Sequence, residues 1–156
     1  MAATLRAMAG TVEAIHLAPD EGAPTAPVER VDAVAGAGLR GDRHFAAGAA
    51  PARQITLIES EELERLADEH GMRLGPGESR RQLTTSGVRL DSLVGRRFRI
   101  GAVECRGVEL CEPCSHLEKL TGRPGIMRAL AHRAGLNAEI LTDGEIAAGD
   151  AIVPLD

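Results

Sequence analysis

Aromatic residues are almost absent from this chain of 156 residues, which has no tryptophan, no tyrosine and only two phenylalanines. Its hydrophobic core must therefore be built from leucine, isoleucine, valine, alanine and methionine. Stacking platforms for single-stranded nucleic acid need aromatic faces, so their scarcity argues against that class of binding. The net charge of −5 argues the same way, because binding to many phosphates requires an excess of basic side chains.

Long apolar runs are absent as well. No segment approaches the roughly 18 apolar residues that a membrane span requires, and the stretch from Met1 to Gly10 is too short and mixed for a secretory signal. We therefore expect a cytoplasmic protein with no membrane partner. The length fits a single domain over residues 1–156.

Lysine is the third scarcity, since Lys119 is the one lysine among 18 basic residues. The planar fork of arginine suits phosphate and carboxylate groups. A genome rich in GC codons explains the same excess of arginine, so this feature alone does not indicate a function.

Short apolar segments between glycine and proline turns predict a fold made mainly of strands, without βαβ alternation. We expect an α+β, mainly β, fold: a barrel-like and mostly antiparallel sheet with two or three peripheral helices. The helices are predicted at Glu59 to His70, with Gly71 as the residue that ends this helix, at Ser115 to Gly122 and at Pro124 to Ala134. A strand is predicted at Val103 to Leu110. Leu136 to Leu141 and Gly149 to Leu155 are predicted to form a terminal hairpin.

Two of the three cysteines stand in the segment Cys111-Glu112-Pro113-Cys114. In a reducing compartment a C-x-x-C pair indicates metal, cofactor or thiol chemistry more than a structural disulfide. The following Ser115-His116-Leu117-Glu118 matches a capping box, so Cys114 precedes a predicted helix N-terminus, where a thiolate is stabilised. Cys114 is therefore the first candidate for a sulfur carrier or metal ligand, and Cys111 is the second.

Other interpretations of the cysteines stay open. Buried cysteines often serve only for packing. A zinc site is an alternative in which Cys105, Cys111, Cys114 and His116 supply four ligands, although their spacing is not that of a finger or ribbon. A thioredoxin-like pair is disfavoured because the motif does not follow the first strand of a βαβ unit.

Two segments combine glycine with arginine and other polar residues. Glycines let the backbone approach an anion, and arginine binds it in a bidentate manner. A solvated surface turn is the alternative for each, and neither matches a nucleotide-binding motif. The first segment, Gly38 to His44, contains Arg40, Asp42, Arg43 and His44; the second, Gly75 to Gly87, contains Arg81, Gln82 and Thr84.

These segments, in this order, resemble the MOSC domain, which is named for the C-terminal domain of molybdenum cofactor sulfurase. The resemblance includes the glycine–arginine segments, Arg53 to Ile58, Leu93 to Gly101, Cys111 to Cys114 and Gly144 to Asp150, and so extends over nearly the whole chain. It implies a β-barrel with a pocket for the molybdenum cofactor, a pterin that carries a phosphate and a dithiolene-bound metal.

The resemblance also assigns roles to residues. The family's characteristic cysteine corresponds best to Cys114, with Cys111 second, and the metal ligand would be Cys114. Family members usually have asparagine where this chain has Gln82. The residues implied to bind the cofactor are Arg40, Asp42, Arg43, His44, Arg53, Arg81, Gln82 and Thr84.

Three functions follow as expectations. In the first, the protein is an enzyme or sulfur-transfer domain that uses Cys114. As a reductase of N-hydroxylated compounds, it would complete the metal coordination with Cys114 and receive electrons from a separate donor protein. As a sulfur carrier, it would receive sulfur on Cys114 from a separate cysteine desulfurase that uses pyridoxal phosphate. In the second, the protein is a non-catalytic module that stores, delivers or inserts the cofactor. In the third, it is a small zinc protein.

Overall fold

A computed structural model describes residues 9–113 and 115–155 of the chain, with only the backbone of Ser115 and His116. The described part contains eleven strands, three α-helices and two 3-10 turns at Pro51–Arg53 and Leu90–Leu93. The helices are α1 (Ser60–His70), α2 (Ser115–Thr121) and α3 (Ile126–Ala129). The strands are β1 (Gly10–Leu17), β2 (Ala26–Val28), β3 (Arg30–Val34), β4 (Gly38–Leu39), β5 (Ile55–Glu59), β6 (Leu83–Ser86), β7 (Arg97–Ile100), β8 (Val103–Leu110), β9 (Leu136–Ile140), β10 (Gly144–Ala147) and β11 (Ala151–Pro154).

Seven strands close into a barrel in the order β1-β11-β7-β8-β9-β5-β6, and β6 returns to β1. Every neighbouring pair in the barrel is antiparallel except β5 and β6, which run parallel and are joined through helix α1. Strand β2 extends the sheet from β1, and β10, β3 and β4 form a second, smaller sheet. The predicted barrel-like, mostly antiparallel fold with peripheral helices is confirmed.

The barrel interior is filled by aliphatic side chains and Phe98, as the scarcity of aromatic residues requires. Closure of the sheet removes exposed strand edges from the barrel. A second apolar cluster, which includes Leu66, Leu117, Ile126 and Leu130, joins the three helices outside the barrel. None of these helices has the length and apolar character needed to cross a membrane.

Two predicted elements are wrong. The expected terminal hairpin does not form, because β9 pairs with β8 and β5 while β11 pairs with β7 and β1. Between them, β10 leaves the barrel to pair with β3. The expected helix over Pro124 to Ala134 is reduced to the single turn of α3, because Gly125 before it is left-handed (φ 89°) and Leu130 after it leaves the helical conformation (φ −100°, ψ 4°).

The predicted capping box also has a different partner. Among the described contacts, the Glu118 carboxylate accepts hydrogen bonds from the backbone N–H groups of Gly125 (3.1 Å) and Met127 (3.3 Å). It therefore caps the beginning of α3 and ties α2 to α3. The side chain of Ser115, the other half of the predicted box, lies outside the described residues.

Candidate functional site

The candidate site is a cavity of about 350 Å³ on the outer side of the barrel wall. Side chains alternate between the two faces of a strand. Because the neighbours of His16, Thr56 and Asn137 on β1, β5 and β9 are buried in the barrel core, these three side chains face outward into the cavity. Thr56 and Asn137 are directly opposite each other in the pairing of β5 with β9.

Loops that are distant in sequence surround this stretch of wall. Arg43 and His44 come from the loop after β4, Arg53 from the 3-10 turn before β5, and Cys111 from the segment that follows β8. Leu117 of α2 closes one side and belongs to the apolar cluster of the helices. The fold thus brings the two glycine–arginine segments and the cysteine segment to one cavity.

Asp42 is the hydrogen-bonding centre of the cavity floor. Its buried carboxylate accepts from the backbone N–H groups of Ala18 and His44, both at 3.1 Å, and from Gln82 Nε2 at 2.8 Å. Burial alone would raise the pKa of Asp42, but these hydrogen bonds, together with the His44 side chain, lower it below its ordinary value. Asp42 is therefore an ionised group whose charge is already satisfied within the protein.

Gln82 connects this centre to the barrel wall. The side-chain Oε1 of Gln82 accepts from the backbone N–H of Thr56 at 2.9 Å, and the backbone N–H of Gln82 donates to Thr56 Oγ1 at 3.0 Å. The asparagine that the family usually has is shorter by one methylene group. In this chain the longer glutamine reaches both Asp42 and β5, so it fixes the floor of the cavity rather than offering free polar groups to a ligand.

Arg80 belongs to the second glycine–arginine segment and lines the cavity, although it is not among the residues implied to bind the cofactor. It has a left-handed backbone (φ 62°), and its Nη1 donates to the carbonyl of Ala23 at 2.7 Å. Its Nη2 is buried, with no hydrogen-bond partner among the described residues. Burial, and then repulsion from Arg43, lower the pKa of Arg80 from its ordinary value. A strained backbone that carries a buried donor without a partner at a cavity marks Arg80 as a candidate to bind a ligand.

His16 is a cavity residue that no motif in the sequence indicates. A lone histidine of this kind is expected to be a surface or strand-packing residue, but His16 lines the cavity and is almost fully buried. Burial lowers its pKa, which favours the neutral imidazole, and its Nδ1 has no partner among the described side chains and backbone groups. A single histidine in a strand gives no sequence signal for such a position, because a contact distant in sequence, from the His16 backbone N–H to the Gln82 carbonyl at 2.8 Å, places it beside the cavity floor.

Most of the predicted cofactor-binding residues meet at this cavity: Asp42, Arg43, His44, Arg53, Arg81 and Gln82, together with Cys111. Arg40 does not, because its guanidinium group stacks on Phe45, 5.2 Å from the ring centre. Thr84 lies two residues beyond Gln82 on β6 and is not part of the lining. Cys114 and the side chain of His116 lie outside the described residues.

Cys105 is separated from the other cysteines. It is completely buried in the barrel core, and burial, with a smaller contribution from Glu104, raises the pKa of its thiol to about 12. Cys111 instead lines the outer cavity. Cys105 and Cys111 thus face opposite sides of the barrel wall, which does not support a zinc site that uses both of them. Among the described side chains, no group of three histidine, cysteine or acidic residues is placed to hold a metal ion.

A second cleft, of about 220 Å³, lies behind the cysteine segment and contains charges of both signs. Burial, opposed by a hydrogen bond from the backbone of Leu90, raises the pKa of Glu59 there to about 6. Glu62 is held by Arg65 at 2.7 Å and by Arg133 at 3.6 Å. These mutual pairs leave less unbalanced charge than the outer cavity has, which makes the outer cavity the better candidate site.

Comparison with known proteins gives consistent results. The family model described as the MOSC domain matches residues 40–153. The solved structure of the YUAD protein from Bacillus subtilis is similar, with a TM-score of 0.82 at 20% identity over 96% of this chain and 98% of that chain. YiiM from Geobacillus stearothermophilus has a TM-score of 0.76 at 18% identity, over 94% of this chain and 75% of that chain.

YiiM from Escherichia coli is also similar, with a TM-score of 0.67 at 16% identity over 94% of this chain and 68% of that chain. At these identities the likeness to solved structures shows the fold alone. No curated protein sequence matches the chain.

Proposed function

The chain belongs to the MOSC domain family, and from that premise we propose that its outer cavity binds the molybdenum cofactor. The observation that carries the proposal is the unbalanced positive charge of the cavity. Arg43, Arg53 and Arg80 converge there, whereas the Asp42 carboxylate is satisfied by the protein and Glu112 is bound to His132. An anionic ligand with a phosphate group complements such a cluster.

The lining also suits the rest of the ligand. A cavity of about 350 Å³ lies within the usual size range of cofactor pockets. Thr56 and Asn137 offer hydroxyl and amide groups at the wall, where the heteroatoms of a pterin edge need hydrogen-bond partners. Cys111 provides sulfur at the rim, a soft ligand type suited to a thiolate-binding metal.

When bound, the cofactor would supply a redox-active metal centre. The residues of the chain would do the rest: Arg43, Arg53 and Arg80 bind the phosphate, and Thr56 and Asn137 orient the pterin. Cys114, which stands three residues after Cys111 in the sequence, is the proposed sulfur ligand or sulfur carrier. A reductase of this kind needs electrons from a separate donor protein, and a carrier needs a separate cysteine desulfurase.

Replacement of the cavity arginines by alanine tests cofactor binding directly. After expression in a host that makes the cofactor, we expect Arg53→Ala and Arg80→Ala each to retain about one tenth or less of the pterin and molybdenum that the wild type retains at the same low protein concentration. A charge-assisted hydrogen bond contributes about 1.5–3 kcal/mol, which corresponds to a tenfold or larger change in affinity. Arg40→Ala is the matched control, because Arg40 stacks on Phe45 away from the cavity. Equal losses in all three variants would contradict the proposed site.

The role of the cysteines is tested by metal analysis of Cys114→Ser and Cys111→Ser proteins from the same host. If Cys114 is the metal ligand, its variant keeps the pterin but loses most of the molybdenum, whereas Cys111→Ser retains both. Equal molybdenum in the wild type and in Cys114→Ser would exclude the ligand role. Reduction of a hydroxylamine with an artificial electron donor then separates the reductase from a module that only delivers the cofactor.

A further inference from the structure

The segment Cys111, Glu112 and Pro113, here called the cysteine loop, is held from behind by Arg81. Arg81 Nη2 donates to the carbonyl of Cys111 at 3.2 Å and to the carbonyl of Glu112 at 3.5 Å. Its other two nitrogens also donate, Nε to the carbonyl of Ala134 at 2.9 Å and Nη1 to that of Ser79 at 3.1 Å. Arg81 is only 9% exposed, so little of its guanidinium group is free for a ligand.

The same loop is held at two further points by the segment that precedes β9. The backbone N–H of Cys111 donates to the carbonyl of Gly135 at 2.8 Å. The Glu112 carboxylate accepts from the backbone N–H of His132 at 2.7 Å and lies 2.7 Å from His132 Nδ1. His132 has a left-handed backbone, a costly conformation for a residue other than glycine, and this contact is one of those that hold it.

We infer that Arg81 and Glu112 are positioning residues, which fix the cysteine loop against the cavity, and that Arg81 does not itself clamp the cofactor. The inference rests on the proposed function, because the proposed function gives the loop its role of presenting sulfur at the cavity rim. It reassigns Arg81 from the ligand contacts implied by family resemblance to a purely intramolecular role. Bidentate donation to two successive carbonyls is a task for which lysine is a poor substitute.

The two positioning residues differ in burial, and this difference ranks their expected effects. Arg81 is buried, so shortening its fork to one ammonium group leaves partly buried carbonyl groups of the loop without donors. Glu112 and His132 have exposed side chains, 45% and 80% respectively, where an ion pair contributes little. Replacement of Arg81 should therefore loosen the loop more than replacement of Glu112.

The test uses the reactivity of Cys111 in full-length protein from a host that does not make the cofactor. In a Cys114→Ser background Cys111 is the one accessible thiol, because Cys105 is buried in the barrel core. Alkylation by iodoacetamide is followed by mass spectrometry from pH 6 to pH 9, well below the melting temperature. We expect Arg81→Lys to accelerate alkylation about tenfold and Glu112→Ala about threefold, because a loosened loop exposes the thiol more often.

Arg65→Lys is the matched control. Arg65 Nη2 also donates to a backbone carbonyl, that of Ala129 at 2.9 Å, but it does not contact the cysteine loop. Its alkylation profile should stay within twofold of the parent across the pH range. Rates for Arg81→Lys and Glu112→Ala within twofold of this control would overturn the inference, and if Arg81→Lys does not fold, Glu112→Ala decides alone.

A second measurement separates this inference from the proposed function. If Arg81 contacted the cofactor directly, Arg81→Lys would lose molybdenum in a cofactor-making host, but its Cys111 would be alkylated at the control rate. That combination of results would also overturn the inference. If instead the wild type itself bound neither pterin nor molybdenum, the proposed function would fail, whereas accelerated alkylation would still establish that Arg81 holds the loop.

Discussion

Replacement of Gly135 by alanine is expected to lower the free energy of unfolding by about 3 kcal/mol or more, from overpacking and backbone strain together. Gly135 has a φ of +111°, which side chains of L-residues rarely adopt. An added Cβ would overlap the carbonyl oxygen of Leu57 and lie 3.0 Å from its carbonyl carbon. Both neighbours are backbone atoms of β5, so no side chain can move aside to accommodate it.

Replacement of Gly135 is expected to disturb the cavity as well as the barrel, because of where Gly135 lies. It directly precedes β9, whose Leu136 is opposite Leu57 in the register with β5. Its carbonyl also accepts the backbone N–H of Cys111. A forced separation of β5 and β9 would displace Thr56 and Asn137 on the cavity wall, so we expect the variant to lose cofactor as well as stability.

Gly149→Ala is the control for Gly135→Ala. Gly149 has a similar backbone conformation, with a φ of +94°, but an added Cβ would meet no atom of the described residues within 4 Å. This variant therefore carries the conformational strain without the overlap, and we expect it to lose about 1 kcal/mol. Thermal unfolding should show a fall in Tm of about 8 °C for Gly135→Ala and about 3 °C for Gly149→Ala. Equal shifts would contradict the close approach of β9 to β5.

Replacement of Asp42 by alanine is the second large effect, with an expected loss of about 3–5 kcal/mol. The change leaves the N–H groups of Ala18 and His44 and the amide of Gln82 without their acceptor. A buried donor that loses its partner costs about 1–3 kcal/mol. Because Gln82 also holds β5 through Thr56, the disturbance extends from the cavity floor into the barrel wall.

The pH dependence of this effect follows from the pKa of Asp42. Its folded-state pKa lies below the ordinary value of 3.8, so the carboxylate stabilises the fold above that value and ceases to do so as the pH falls through the folded-state pKa. Urea unfolding should therefore show a constant stability gap between wild type and Asp42→Asn at neutral pH, and a narrowing gap below about pH 4.

Asp143→Asn is the matched control for Asp42, since its carboxylate accepts one backbone N–H, that of Ala35 at 2.8 Å, at an exposed position. We expect it to lose less than about 1 kcal/mol. A stability loss for Asp42→Asn no larger than that of Asp143→Asn would contradict the role of Asp42 as the centre of the cavity floor.

Local patterns were sufficient to predict several elements. The helix predicted over Glu59 to His70 agrees with α1, and Gly71 ends it in a left-handed conformation as expected. The strand expected over Val103 to Leu110 matches β8 in full. In both cases the side-chain period lies within the segment and the punctuating glycines flank it, so local sequence is sufficient to predict the element.

The errors arise where distant segments decide the outcome. Leu136 to Leu141 and Gly149 to Leu155 alternate as hairpin strands do, but closure of the barrel gives each a different partner. Arg40 and Arg43 are equivalent in the sequence pattern, yet Phe45 holds Arg40 outside the cavity. Arg80 and Arg81 are adjacent, and only the positions of Ala23, Cys111 and Ala134 distinguish their environments.

The candidate site was predictable as a set of segments rather than as a set of contacts. The glycine–arginine and cysteine segments do meet at one cavity, as family resemblance implied. The resemblance does not reveal that Asp42 and Gln82 are used within the protein, or that His16 faces the cavity. Such assignments depend on hydrogen bonds between residues 24 to 40 positions apart, for which a single sequence carries no signal.

The most direct test of cofactor binding is the amount of pterin and molybdenum that co-purifies with the full-length protein from a cofactor-making host. Pterin is measured after oxidation to a fluorescent derivative, and molybdenum by elemental analysis. We expect near-stoichiometric pterin in the wild type and almost none in Arg53→Glu, which reverses one charge at the cavity. Wild-type protein without pterin, or equal pterin in the wild type and in Arg53→Glu, would contradict the proposal that this cavity binds the cofactor.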